Sequence, residues 1–258
     1  MKLLKVKGVV IKEVPYKDND KIITLMTDKL GKISCMAKGA KKTNSTLLAS
    51  CQLLVYSEFI LYKGTSFYHI NSAETIDTFY TLRTDYDKLQ KAYEVTKVLN
   101  SLVVENEETE SILSLYLNSL FVISKDMLKF DYIMSIFKLK MLVLLGYSPS
   151  IVSCSNCSKR MLSDNNIGYY YSFNTNSVLC GDCYNKLKQE NETKLKNGWY
   201  VSISMAAFYG ITYIVASDVK KVFSFKVDDK ALGEIVKIAD RLYLEQISFW
   251  KMVDINQK

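Results

Sequence analysis

The chain has 258 residues, 48% hydrophobic and 24% charged, which is enough apolar material to bury a sizeable core. With 2 Pro and 10 Gly, it excludes a collagen-like or largely disordered protein. A formal charge of +7 suits a phosphate backbone or an acidic partner. Lys2, Lys5, Lys7 and Lys12 interrupt the apolar N-terminal residues, so no secretory h-region is read there. The most apolar later run, residues 134–147, is broken by Lys138 and Lys140 and is too short to span a bilayer. The expectation is a cytoplasmic protein, in which the 6 cysteines serve as thiols or metal ligands rather than disulfides.

Residues 3–14, 21–27, 32–37, 52–62 and 65–73 read as strands. Asp28-Lys-Leu-Gly31 and Lys63-Gly64 supply turns between them. Five short strands at hairpin spacing predict a small closed barrel or a sandwich. They lie too close together for crossover helices, which argues against parallel pairing. From about Thr84 the period becomes helical: Leu89, Ala92, Tyr93, Thr96, Leu99 and Val103 fall on one face. An acidic connection at 105–110 leads to a second helix over 111–123. A third helix has Ile133, Ile136, Phe137, Met141, Leu144 and Leu145 on one face and is stopped by Gly146 and Pro149. A last helix, 230–250, carries Leu232, Ile235, Val236, Ala239, Leu242, Tyr243 and Trp250. Such helices should pack as a bundle, giving an α+β chain.

The most specific motif is Cys154-Ser-Asn-Cys157 followed by Cys180-Gly-Asp-Cys183. Two such pairs can set four thiolates round one tetrahedral metal. The expected cofactor is one structural Zn2+, with both pairs in tight turns, a strand at 169–173 between them, and a loop at 163–166 absorbing the long spacer. Four protein ligands leave no open position for a reacting water, so the site should fold the segment rather than catalyse. A redox dithiol would need one C-x-x-C opening a helix in a βαβ setting, which is not read here. Cys35 and Cys51 lie in apolar, strand-like surroundings and read as ordinary buried thiols.

Lys38-Gly-Ala-Lys41-Lys42 follows the third strand and could seat a phosphate backbone, with a merely solvated loop as the alternative. Tyr56, Phe59, Tyr62, Phe67 and Tyr68 could stack on bases, but strand alternation should send most of them into the core. His69 is the only histidine and reads as structural. The sequence has no P-loop, dinucleotide-binding glycine motif or nucleophile elbow, so no enzyme is expected.

Lys7-Gly-Val-Val-Ile-Lys12, residues 18–27, Gly31-Lys-Ile-Ser34 and Ala37-Lys-Gly-Ala-Lys41 together resemble the N-terminal region of the RecO family. Leu144-Leu-Gly-Tyr-Ser-Pro149 running into the two cysteine pairs is similar to the same family. The resemblance implies an OB-fold at 1–80, a helical domain beginning at 81–150, a zinc-binding insertion at 151–190 and a helical remainder at 191–258. It also implies a recombination mediator in DNA repair that binds single- and double-stranded DNA and anneals complementary strands. The implied partners are RecR, with which it would load RecA, and the acidic C-terminal tail of the single-stranded-DNA-binding protein. Lys38, Lys41 and Lys42 would then contact DNA. Lys129, Lys138 and Lys140, expected off the apolar face of the third helix and near solvent, would receive the acidic tail. The basic loop departs from the family in having lysine only, which keeps point charge but loses the planar fork of arginine. The competing reading is a zinc-ribbon and OB-fold module that binds RNA or assists transcription.

Overall fold

The computed structural model describes residues 2–103, 110–163, 168–190 and 199–256. The chain divides into two compact units, Met1–Phe130 and Asp131–Lys258. Residues 105–109 of the expected acidic connection and 164–166 of the spacer loop lie outside the described residues, as does the side chain of Trp250.

In the first unit, β1 (Leu3–Tyr16), β2 (Asp20–Thr27), β3 (Lys32–Ala37), β4 (Tyr56–Lys63) and β5 (Tyr68–Asp77) close into a barrel of order β1-β2-β3-β5-β4. The expected five-stranded, OB-like barrel is therefore present. Alternation builds it: Ser57, Phe59 and Leu61 of β4 point inward, while their neighbours are only half buried. Phe59 meets Val6, Val10, Ile23, Leu25 and Ile33 in the core. Burying such a ring contributes about 1.5–3 kcal/mol.

Expectation and structure differ at one seam, where β3 and β5 pair in parallel through Cys35↔Tyr68 and Met36↔His69. The reason is geometric rather than local. Residues 38–55 carry the chain away from the end of β3, and β4 returns antiparallel to β1 to close the barrel. β5 then runs antiparallel to β4 and must lie parallel to β3. No crossover helix is needed because the connection passes round the barrel.

Among the described residues of this unit the helices are α1 (Tyr80–Thr84), α2 (Tyr86–Leu102) and α3 (Glu110–Ser124). Asp85 caps α2 by accepting from the Lys88 backbone N–H. Ala92, Thr96 and Leu99 of the expected face are buried together with Val95, Val98 and Leu102, whereas Tyr93, expected on that face, is exposed. The Thr96 hydroxyl meets the fully buried Tyr116 of α3 at 2.7 Å, giving both polar groups a partner.

The second unit contains α4 (Phe130–Leu144) from Asp131 onward, β6 (Tyr169–Ser172), β7 (Ser177–Cys180) and α5 (Gly181–Glu190). β8 (Tyr200–Ile203), α6 (Met205–Ala216) and α7 (Asp229–Asn256) follow. The strands form a three-stranded antiparallel sheet of order β7-β6-β8. Ser204 caps α6, and its own N–H and hydroxyl both donate to Glu234 of α7, at 2.6 and 2.7 Å. A Cβ at Gly210 of α6 would stand 2.8 Å from Ile235 Cδ1 of α7, so the two helices meet at this glycine. Among the described residues, no helix is long and apolar enough to cross a membrane.

Candidate metal centre and nucleic-acid interface

The two cysteine pairs come together in the second unit. The Sγ atoms of Cys154, Cys157, Cys180 and Cys183 all lie within 4.8 Å of one another. Cys157 and Cys180 are 3.8 Å apart, too far for a disulfide bond. Four sulfurs at about 2.3 Å from a tetrahedral centre would stand about 3.8 Å from one another, so the cluster is compatible with a four-cysteine metal site.

Local backbone chemistry builds that cluster. The Cys154–Cys157 segment turns because the Ser158 N–H donates to the Cys154 carbonyl at 2.9 Å, with Ser158 at φ 59°. The turn is held to the hairpin by Ser155 N–H to Val178 O, 2.9 Å. Cys180 ends β7 and donates its N–H to Cys154 Sγ at 3.4 Å. Cys183 lies in the first turn of α5, which Tyr184 stacks against Tyr170 of β6 at 3.7 Å between centroids.

The second pair thus opens a helix, where two tight turns were expected. The neighbouring strands are antiparallel, and the other pair is brought against it, so the result is a four-sulfur cluster rather than an isolated dithiol. Burial pushes the Cys154 thiol up, but the N–H groups of Cys180, Cys157 and Asn156 outweigh it and bring it down to about 6. Burial pushes Cys180 up to about 12 and also raises Cys183. Cys35 and Cys51 are fully buried in the barrel, and burial raises both thiols, as expected of unreactive core cysteines.

Lys38, Lys41 and Lys42 are all exposed, on a loop leaving β3. Gly39 takes φ +68° and donates its N–H to Asp20 Oδ1 at 2.8 Å. Lys41 N–H bonds Asn19 O at 3.0 Å, and its ammonium donates to Lys17 O at 3.4 Å. The β1–β2 hairpin therefore fixes the loop while leaving Lys38 and Lys42 exposed. Sequence reasoning missed the anchoring role of Asp20, a contact nineteen positions away that no local pattern signals.

Of the five barrel aromatics, Phe59 is fully buried, while Tyr56, Tyr62, Phe67 and Tyr68 are half buried. The expectation that most would enter the core is corrected, because β4 and β5 alternate between core and surface faces. Tyr62 stacks on His69 at 4.9 Å and 12°.

The third group of lysines falls in two units. Lys129 is exposed and belongs to the first unit. In the second, Lys138 pairs with Asp240 at 2.7 Å and lies 5.1 Å from the Tyr243 ring, its side chain 14% exposed. Lys140 is 5% exposed and donates to Val215 O at 3.0 Å and Ser217 O at 2.6 Å. The expectation that Lys138 and Lys140 face solvent is corrected. α4 is buried on more than one face, since Tyr132, Leu139 and Leu142 are buried as well as Ile133, Ile136, Phe137 and Met141. Lys140 instead satisfies carbonyls at the C-terminal end of α6.

Residues 1–79 match the family described as Recombination protein O N terminal, and residues 83–252 match Recombination protein O C terminal. DNA repair protein RecO of Acetivibrio thermocellus is 36% identical over 247 residues, covering 96% of this chain and 93% of the relative. DNA repair protein RecO of Caldicellulosiruptor saccharolyticus is 31% identical over 247 residues, covering 96% and 94%. With both terminal regions matched and relatives aligned along nearly their whole length, the chain belongs to the RecO family of DNA repair proteins.

Proposed function

We propose that this chain is a cytoplasmic recombination mediator that binds single- and double-stranded DNA and anneals complementary strands, with no covalent chemistry of its own. The observation that carries this reading is the anchored basic loop, which presents Lys38 and Lys42 beside Lys41 at the barrel. Each ammonium that replaces a counterion on a phosphate gains salt-dependent affinity. Annealing needs two polyanions to approach, and a lysine loop held by Asp20 and Asn19 lowers their repulsion without gripping the bases.

In the second unit, Cys154, Cys157, Cys180 and Cys183 would hold one Zn2+, which supplies folding energy to residues 151–190 and leaves no open coordination position. Family membership supports two protein partners: RecR, with which the chain would load RecA, and the acidic tail of the single-stranded-DNA-binding protein. Lys129 is exposed, while Lys138 engages Asp240 and Lys140 the end of α6.

Fluorescence anisotropy across a salt series tests the reading. Replacing Lys38, Lys41 and Lys42 together by Ala should flatten the slope of log affinity against log salt by about 2, at roughly 0.7 per phosphate contact on single strands. Unchanged affinity and slope would leave the loop as a solvated surface.

A further inference from the structure

The first unit contains a half-open cavity of about 430 Å³ between β1, the connection before β4, and α2. Its floor is aliphatic, formed by Ile11, Leu53, Leu54 and Leu89, and Tyr86 and Tyr93 line it from α2. The two tyrosines are 78% and 55% exposed, seven residues apart on one helix, with their rings unusually open to solvent for their size. Seven residues separate them by about 10.5 Å along the helix axis.

Backbone irregularity converges on the same cavity. The β1–β2 register slips between Val10 and Lys12, so Ile11 is the extra residue of a bulge. Leu54 holds φ +64°, a left-handed conformation that a leucine rarely adopts. It is kept there by its N–H to Val10 O at 2.8 Å, and Val10 N–H to Val55 O at 3.1 Å ties the neighbouring residue to the same strand. Bulges and strained residues of this kind concentrate where a fold aims side chains at a ligand.

The polar groups at the cavity point to the ligand's chemistry. Lys12 and Gln90 are exposed and line it, one a cation and the other an amide able to donate and accept. Glu13, also lining it, is neutralised by Lys21 at 2.8 Å. From Lys12, β1 runs on to Tyr16, and Lys17, immediately beyond, offers its carbonyl to the Lys41 ammonium of the basic loop. Lys12 at the cavity and Lys17 beside the basic loop thus stand at the two ends of about 16 Å of strand, with Glu13, Val14, Pro15 and Tyr16 between them.

We infer that this cavity receives an unstacked base of a single strand whose phosphates lie on the basic loop and β1. The inference rests on the DNA-binding reading above and adds to it a base-holding site. The Tyr86 ring can stack on any base, and Tyr93, over whose ring the Lys97 ammonium lies 4.7 Å from the centroid, offers its other face. An apolar floor excludes water, Gln90 meets a base edge, and Lys12 meets the adjoining phosphate. An apolar peptide side chain could use the floor but has no use for the Lys12 cation and the Gln90 amide at the cavity.

The test is anisotropy with a single-stranded oligonucleotide, the same strand made abasic, and a duplex, using Tyr86→Ala/Tyr93→Ala and Tyr86→Phe/Tyr93→Phe. The Ala pair should lose on the order of tenfold or more in single-strand affinity with its salt slope unchanged. Its binding to the abasic strand and the duplex should stay as in the parent, and the Phe pair should bind all three normally. Should the Ala pair melt early, Leu53→Trp, which fills the floor from a half-buried position, is expected to give the same selective loss. Parent-like single-strand binding by a folded Ala pair, or an equal loss on the abasic strand, would overturn the inference alone. Failure of the parent chain to bind any of the three would overturn the DNA-binding reading with it.

Discussion

Replacing Lys140 by Met removes the donor that closes α6 while keeping most of the side-chain volume. Two carbonyls, Val215 O and Ser217 O, lose an ammonium now 3.0 and 2.6 Å away. Bonds from a charged donor each contribute about 1.5–3 kcal/mol net of desolvation. Both residues are half exposed, so water recovers part of what the carbonyls lose. The balance is a net loss of about 2 kcal/mol, or about 4–8 °C in Tm for a chain of this size. Lys138→Met is the control: its partner Asp240 is 47% exposed, so the loss should stay near or below about 1 kcal/mol.

The pH dependence carries a sign as well. Burial lowers the Lys140 pKa below 10.5, with Asp218 opposing the shift. The unfolded chain then holds that proton more tightly than the folded one. The contribution of Lys140 to stability should therefore rise as pH climbs through its folded pKa toward 10.5, and the difference between parent and Met variant should carry that slope. Urea unfolding at neutral and alkaline pH reads both effects. A Lys140→Met variant within about 0.5 kcal/mol of wild type would refute the assignment of this lysine as the cap of α6.

Protein purified in reductant without added metal should carry about one zinc equivalent by elemental analysis. Cys157→Ser should lower that content and speed hydrogen exchange over residues 151–190, with barrel exchange unchanged; a metal-free, well-protected parent would contradict it. Gly210→Ala should change the stability of the second unit by less than about 1 kcal/mol in chemical unfolding, because Ile235 Cδ1, 2.8 Å from the new Cβ, can swing aside and alanine favours the helix by about 1 kcal/mol, and a loss above about 3 kcal/mol would mean that Ile235 cannot move.

Period-two alternation and turn signals narrowed the first eighty residues to a barrel or a sandwich, and the family resemblance pointed to the barrel. Spacing located α2 and α4 but not their full buried surfaces: Tyr93 is exposed and α4 is buried on more than one face. The parallel seam was not legible, because it follows from β4 returning to β1 rather than from any property of β3 or β5. α6 was missed because Met205–Ala216 is apolar without amphipathic period, as a buried helix is. The cysteine set was legible because metal-ligand spacing is a local rule, whereas Lys140 was misplaced because the fate of a lysine in a buried helix depends on the carbonyls that pack against it. Asp20 and Leu54 escaped for the same reason: each is defined by a partner distant in sequence or by a backbone angle that its neighbours impose.

The central claim is that the anchored lysine loop lets this chain bring complementary strands together. Annealing of two labelled complementary oligonucleotides, followed by energy transfer without nucleotide or divalent metal, tests it most directly. The account predicts that the parent chain accelerates annealing, that added salt suppresses the acceleration, and that the Lys38→Ala/Lys41→Ala/Lys42→Ala variant loses most of it while keeping its Tm. Equal acceleration by parent and triple variant, or none by the parent, would contradict it.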